Sequence, residues 1–145
     1  MGYTHYFPAQ RDFTPDEFAR LGDATRKIIA QASQGVTLVQ LAAEYDDPTE
    51  PPQIDSELIR FNGAGEEGYE TFYLPRCREG AIFCKTANRP YDVVVVAVLI
   101  AADAIAPGAL TITSDGESDE WQAGLTLASR AIPTLAAEVP VGVGA

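Results

Sequence analysis

One hundred and forty-five residues, 46% apolar and 21% charged, suit a single domain with a core of its own. A formal net charge of −11 and a pI near 4.3 argue against a nucleic-acid polymer as partner, because such binding neutralises phosphates with Lys and Arg. Two cysteines make no disulfide scaffold, MGYTHYFPAQ lacks a secretory pattern, and the apolar run 93–102 is too short to span a bilayer. The expectation is a cytoplasmic protein with free thiols and no membrane contact.

Residues 2–7, GYTHYF, put Tyr3, His5 and Phe7 on one face and Thr4 and Tyr6 on the other, which predicts a short strand ended by Pro8. Thr14, Pro15 and Glu17 then spell a capping box with proline at the first helical position, and Phe13 and Phe18 stand where a hydrophobic staple belongs. Phe18, Leu21, Thr25, Ile28, Ile29 and Ala32 continue as one buried helical stripe, with Gly35 as the stop. Residues 36–41 suit a strand or the opening of a short helix. EYDDPTEPPQIDSE, with six acids and three prolines, reads as a solvated surface loop; it lacks the regular ligand spacing of a metal site.

Residues 58–62 and 70–74 predict two antiparallel strands joined across GAGEEG, which lacks the spacing of a phosphate-binding loop. A turn at Glu79–Gly80 leads to a further strand over 81–86. Asp92 is placed to cap a helix over 93–106; its length and the breakers Pro107 and Gly108 outweigh the strand propensity of four valines. A short strand over 110–113 follows. Asp115, Glu117 and Asp119 begin a calcium-loop spacing that Glu120 breaks, so SDGESDE reads as a loop, with Ser118 or Asp119 capping an amphipathic helix through about Arg130. From about residue 132 an extended apolar tail is expected. These elements predict a single-domain α+β fold, a mainly antiparallel sheet packed by about three helices.

Half of the ten Lys and Arg residues fall between Arg60 and Asp92: Arg60, Arg76, Arg78, Lys85 and Arg89. Lys85, Thr86, Asn88 and Arg89 also precede a predicted helix N-terminus, where free N–H groups favour anions. The blocks GYTHYF, FNGAGEEGYETFYLPR, FCKTANRPYDVVVVAVLIAA and TSDGESDEW resemble, in this order and over most of the chain, a family of small proteins from bacteria and their phages. The resemblance implies one stable domain and a phage origin, and with it a role in sequestering a host signal. It assigns no activity, cofactor or site residue.

The function expected from these features is binding of a small anionic, nucleotide-like molecule, without cofactor or metal. His5, Asn62, Glu70, Arg76, Lys85 and Thr86 would line the site, with Tyr6 or Tyr91 stacking on a ring. A second reading is a hydrolase using Cys84 or a carboxylate with His5, since His5 is the one histidine. A third is a protein–protein adaptor acting through the acidic loop and the tail. An all-round apolar helix and an almost uncharged tail further predict a homodimer, with the tail or last helix at the interface.

Overall fold

The computed structural model describes residues 3–41, 50–78 and 83–144. The turn expected at Glu79–Gly80, the start of the strand predicted from residue 81, and the stretch 42–49 of the acidic loop lie outside them. Among the described residues, three helices and two antiparallel sheets make an α+β fold.

Helix α1, Pro15–Ala32, begins as its sequence dictates. Thr14 Oγ1 accepts the Glu17 N–H at 3.1 Å, and the Glu17 carboxylate accepts the Thr14 N–H at 2.9 Å. The Phe13 and Phe18 rings meet at 5.5 Å. Arg11 holds the same carboxylate through two bonds of 2.8 and 3.1 Å. Arg11 first, then the Thr14 N–H, draws the Glu17 carboxyl down from 4.5 to about 2. A lowered carboxyl stabilises the fold above its unfolded value and loses that contribution as pH falls toward about 2. Glu17→Gln should therefore flatten the acid-unfolding profile between these limits; an unchanged slope would contradict the assignment. The helix ends without the left-handed glycine expected at Gly35, whose N–H simply bonds back to Ala32 O at 3.0 Å.

The chain then builds one sheet around strand β4, Leu58–Gly63. Strand β2, Leu38–Val39, pairs with its end, so of residues 36–41 only these two form strand; β3, Gln53–Ile54, and β5, Phe72–Pro75, line opposite edges of it. Strand β3 is a correction, because its residues fall in what reads as acidic loop. Arg60 Nη2 reaches Gln53 Oε1 (2.7 Å) and Gln40 Oε1 (2.8 Å), tying β3 to the centre. A 3-10 turn, Gly65–Glu67, occupies the GAGEEG connection.

Strand β6, Phe83–Lys85, does not extend that sheet. It pairs with β1, Thr4–Tyr6, whose other edge takes β7, Thr113–Ser114. The strand expected over 110–113 is thus displaced, with Leu110 making only a bridge to Ala9. Glu70 links the two sheets: its N–H donates to Lys85 O, and its carboxylate accepts the Lys85 N–H at 2.7 Å.

Helix α2, Asp92–Ile105, confirms helix over strand for the valine run. Every residue from Val94 to Ala102 is buried, and helices α1 and α3, Gln122–Ala131, pack on it and on each other. Burial of each Val, Leu or Ile here contributes about 1.5–3 kcal/mol. Neither Ser118 nor Asp119 caps α3; Trp121 occupies that position without a side-chain bond. The tail has no helix or strand, as expected, and it lies on its own domain. Val143 is buried, Gly144 O accepts the Ser118 N–H at 2.7 Å, and Gly142 passes so close to Ile112 O that a Cβ would stand 2.2 Å from it. One copy therefore buries α2 by itself, whereas the tail is covered only in part, with Val141 fully exposed; the α2 argument for a homodimer falls away. No helix among the described residues is long and apolar enough to cross a membrane.

Candidate functional site

Period-two alternation in β1 turns His5 inward, between its cross-strand neighbours Cys84 and Ser114. After β6 the chain reverses in a tight turn, Thr86–Arg89, closed by Arg89 N–H to Thr86 O at 3.0 Å. Its central residues, Ala87 (φ 51°) and Asn88 (φ 55°), are both left-handed. Asparagine tolerates that conformation, but it costs an alanine about 1 kcal/mol. Tyr3 O holds the turn by accepting the N–H groups of both Thr86 and Ala87. The reversal delivers Asp92, the first residue of α2, to the buried face of the three-stranded sheet.

A hydrogen-bonded chain follows. Asp92 Oδ1 lies 2.6 Å from His5 Nε2 and 2.6 Å from Thr86 Oγ1. His5 Nδ1 lies 2.7 Å from Ser114 Oγ. Ser114 Oγ also accepts the Gly116 N–H at 2.9 Å and the Trp121 Nε1–H at 3.2 Å. With both acceptor positions of the hydroxyl filled, its proton must go to His5 Nδ1. His5 then carries its own proton on Nε2 and donates it to Asp92. Tyr3 and Trp121 meet the His5 ring edge-on, each at 5.2 Å. Gly116 leaves room for the Tyr3 ring: a Cβ there would stand 2.2 Å from the phenol oxygen.

Serine, histidine and aspartate in sequence invite comparison with a nucleophile and its base, but the geometry forbids that use. His5 is 0% exposed, and the Ser114 oxygen is spent on three partners. His5, Thr86 and Trp121 are fully buried and Ser114 is half-buried; Asp92 is the charged member that reaches a cleft. Its side chain is 11% exposed and forms part of the wall of a cleft of about 260 Å³, lined also by Asn88, Arg89, Val96, Glu120 and Gly124. Among the described residues, nothing hydrogen-bonds to Oδ2 of Asp92. The surroundings are acidic: burial, then the charges of Asp92, Glu120, Asp115 and Asp119, push the Tyr3 phenol above its ordinary range. A second hollow of about 310 Å³ beside Arg26 and Ile54 is open and has no buried charge.

The eight residues expected at one site divide among several places. His5 and Thr86 support Asp92. Tyr6 and Lys85 lie on the opposite, outward face of the sheet. Asn62 is buried as a clamp, its amide bonding Tyr69 O and Thr71 Oγ1 while its oxygen accepts the Gly63 and Tyr69 N–H groups. Tyr91 is fully buried and donates to Glu70 O, so it stacks on no ligand. Glu70 joins the sheets, as described. Arg76 is paired with Glu57 at 3.0 Å and with Phe13 O at 3.1 Å, beside a hollow of about 10 Å³ that holds no more than a water.

Cys84 forms no nucleophile pair with His5. Its thiol faces Glu70 O and Tyr91 Oη, and burial pushes it up to about 12. Native protein should therefore expose one reactive thiol, the partly buried Cys77, to a disulfide reagent, and the second only on unfolding. Rapid modification of Cys84 in the folded state would contradict this burial. Sequence reasoning missed Ser114, Trp121, Glu120 and the role of Asp92. Three of the four sequence blocks quoted above, through Tyr3 and His5, Thr86 and Asp92, and Ser114 and Trp121, converge here. Comparison with family models, curated proteins and solved structures gives no match.

Proposed function

We propose that this is a small-molecule binding protein whose ligand lies in the cleft between the 86–89 turn and the start of α3. The observation that carries this reading is Asp92: a carboxylate almost wholly buried, one oxygen held by His5 and Thr86, the other left without a partner at a cleft wall. Burying a charge is costly unless it is paired or used, and here half of it is unpaired. The binding-protein reading from the sequence is kept, but the ligand's polarity changes. Asp92 and Glu120 accept hydrogen bonds, so the ligand should present donors, as a sugar-like diol or an aliphatic amine does. An anion would meet two carboxylates and one guanidinium.

Thermal-shift titration with nucleosides, sugars and aliphatic diamines tests this. A ligand at about 100 times its Kd adds about 2.7 kcal/mol, several degrees for a domain of this size. At least one class should raise Tm, and Asp92→Asn should abolish that rise while keeping its own Tm close to that of the parent. No shift in any class at millimolar concentration, or a shift that survives Asp92→Asn, would remove the proposal.

A further inference from the structure

The outward face of the three-stranded sheet carries what the cleft lacks. Tyr6 and Phe83 are direct cross-strand neighbours on that face, with Cβ atoms about 5 Å apart by the geometry of such pairs. Lys85, two residues beyond Phe83, points the same way, and its ammonium lies 5.4 Å from the centre of the Tyr69 ring. The Arg89 guanidinium stands 5.7 Å from the same ring. Tyr6, Tyr69 and Phe83 are 38%, 44% and 50% exposed. Three of the five large apolar or aromatic side chains exposed among the described residues thus adjoin two cations, in a chain of net charge −11.

We infer that this face binds a short single strand of nucleic acid, its bases stacking on Phe83, Tyr6 and Tyr69 and its phosphates meeting Lys85 and Arg89. Flat rings on an open sheet accept bases of any identity, and flanking cations follow the backbone. A duplex hides its bases from such rings, and an acidic peptide would leave the rings without stacking partners. The acidic total opposes a long polymer. A short strand on this face meets one near carboxylate, Glu70, which is engaged by the Lys85 N–H at 2.7 Å, while charges beyond about 10 Å are largely screened at 0.1 M salt. Arg89 also lines the cleft and donates to Glu66 O at 3.0 Å, so the two sites share it; Tyr6, Tyr69, Phe83 and Lys85 take no part in the cleft, and the inference rests on them.

The test is fluorescence anisotropy of labelled oligothymidine and oligouridine of about six nucleotides, beside a hairpin duplex, a mononucleotide and an oligoglutamate peptide. The face predicts saturable single-strand binding that weakens about sevenfold from about 50 to about 200 mM salt, as two phosphate contacts require. Tyr69→Ala and Phe83→Ala should each weaken it at least about fivefold, as should Lys85→Glu. All three side chains in the first set are exposed or half-buried; circular dichroism identifies any variant that misfolds, and the remaining ones carry the test. Absence of binding at low salt, equal binding of the duplex, preference for the peptide, a mononucleotide that binds as tightly as the strand, or affinity indifferent to the ring and charge variants would each overturn the inference.

Discussion

Trp121→Ala should lower the unfolding free energy by about 3–5 kcal/mol, the range for removing a fully buried large aromatic side chain. Trp121 is 0% exposed, closes one side of His5 edge-on, and donates through Nε1 to Ser114 Oγ. Its loss opens a cavity beside the hydrogen-bonded chain and takes one of the two donors that fix the Ser114 hydroxyl toward His5. Trp121→Phe would restore most of the volume without the N–H, and should recover more than half of the loss. Chemical denaturation of the three proteins measures both steps. If Trp121→Ala cost under about 1 kcal/mol, the packing described around His5 would be wrong.

The second large effect separates structure from binding at one atom pair. Asp92→Ala strips the acceptor from two buried donors, His5 Nε2–H and Thr86 Oγ1–H, each left unsatisfied at about 1–3 kcal/mol. A total of roughly 2–5 kcal/mol is expected. Asp92→Asn is different, because its amide oxygen can still accept both bonds at the Oδ1 position while its NH₂ replaces the free oxygen toward the cleft. That variant should stay within about 1.5 kcal/mol of the parent and lose the ligand. If Asn proved as destabilising as Ala, the negative charge itself would be holding the chain together. If Ala were harmless, His5 and Thr86 would have other partners.

What the sequence disclosed follows from how local each device is. The start of α1 was legible because Thr14, Glu17 and Phe18 lie within one turn and act on their own backbone. Alternation in GYTHYF correctly separated an inward His5 from an outward Tyr6. The valine run was legible as helix because its length and flanks outweighed residue preference. Pairing was not legible: β6 follows β5 in the chain yet joins β1, a choice between edges that no short window contains. Asp92 looked like a cap because an acid before an apolar run usually is one. Its carboxylate instead turns back to a histidine 87 residues earlier. Ser114 and Trp121 carried no spacing signal, since their chemistry exists only once β7 and the start of α3 are brought against β1.

The cluster of positive charge was legible as composition and misread as geometry. Arg76 is consumed by Glu57 and Phe13 O, and the Arg60 Nη2 by Gln40 and Gln53, around the sheet built on β4. Lys85 and Arg89 alone of that group gather at an exposed ring. Alternate residues of β1 and β6 thus serve different ends: His5 turns inward to hold Asp92 at the cleft, while Tyr6, Phe83 and Lys85 turn outward, and Arg89 stands at both places.

The claim on which the site depends is that His5 is a fixed donor to Asp92, leaving that carboxylate as the member of the chain at the cleft wall. A long-range proton–nitrogen NMR correlation of the His5 ring in the native protein reads this directly. The account predicts a proton on Nε2, shared in a hydrogen bond with Asp92, and a bare Nδ1 accepting from Ser114. A proton on Nδ1, or on both nitrogens, would mean that Ser114 accepts rather than donates, and the chain from Trp121 to Asp92 would have to be redrawn.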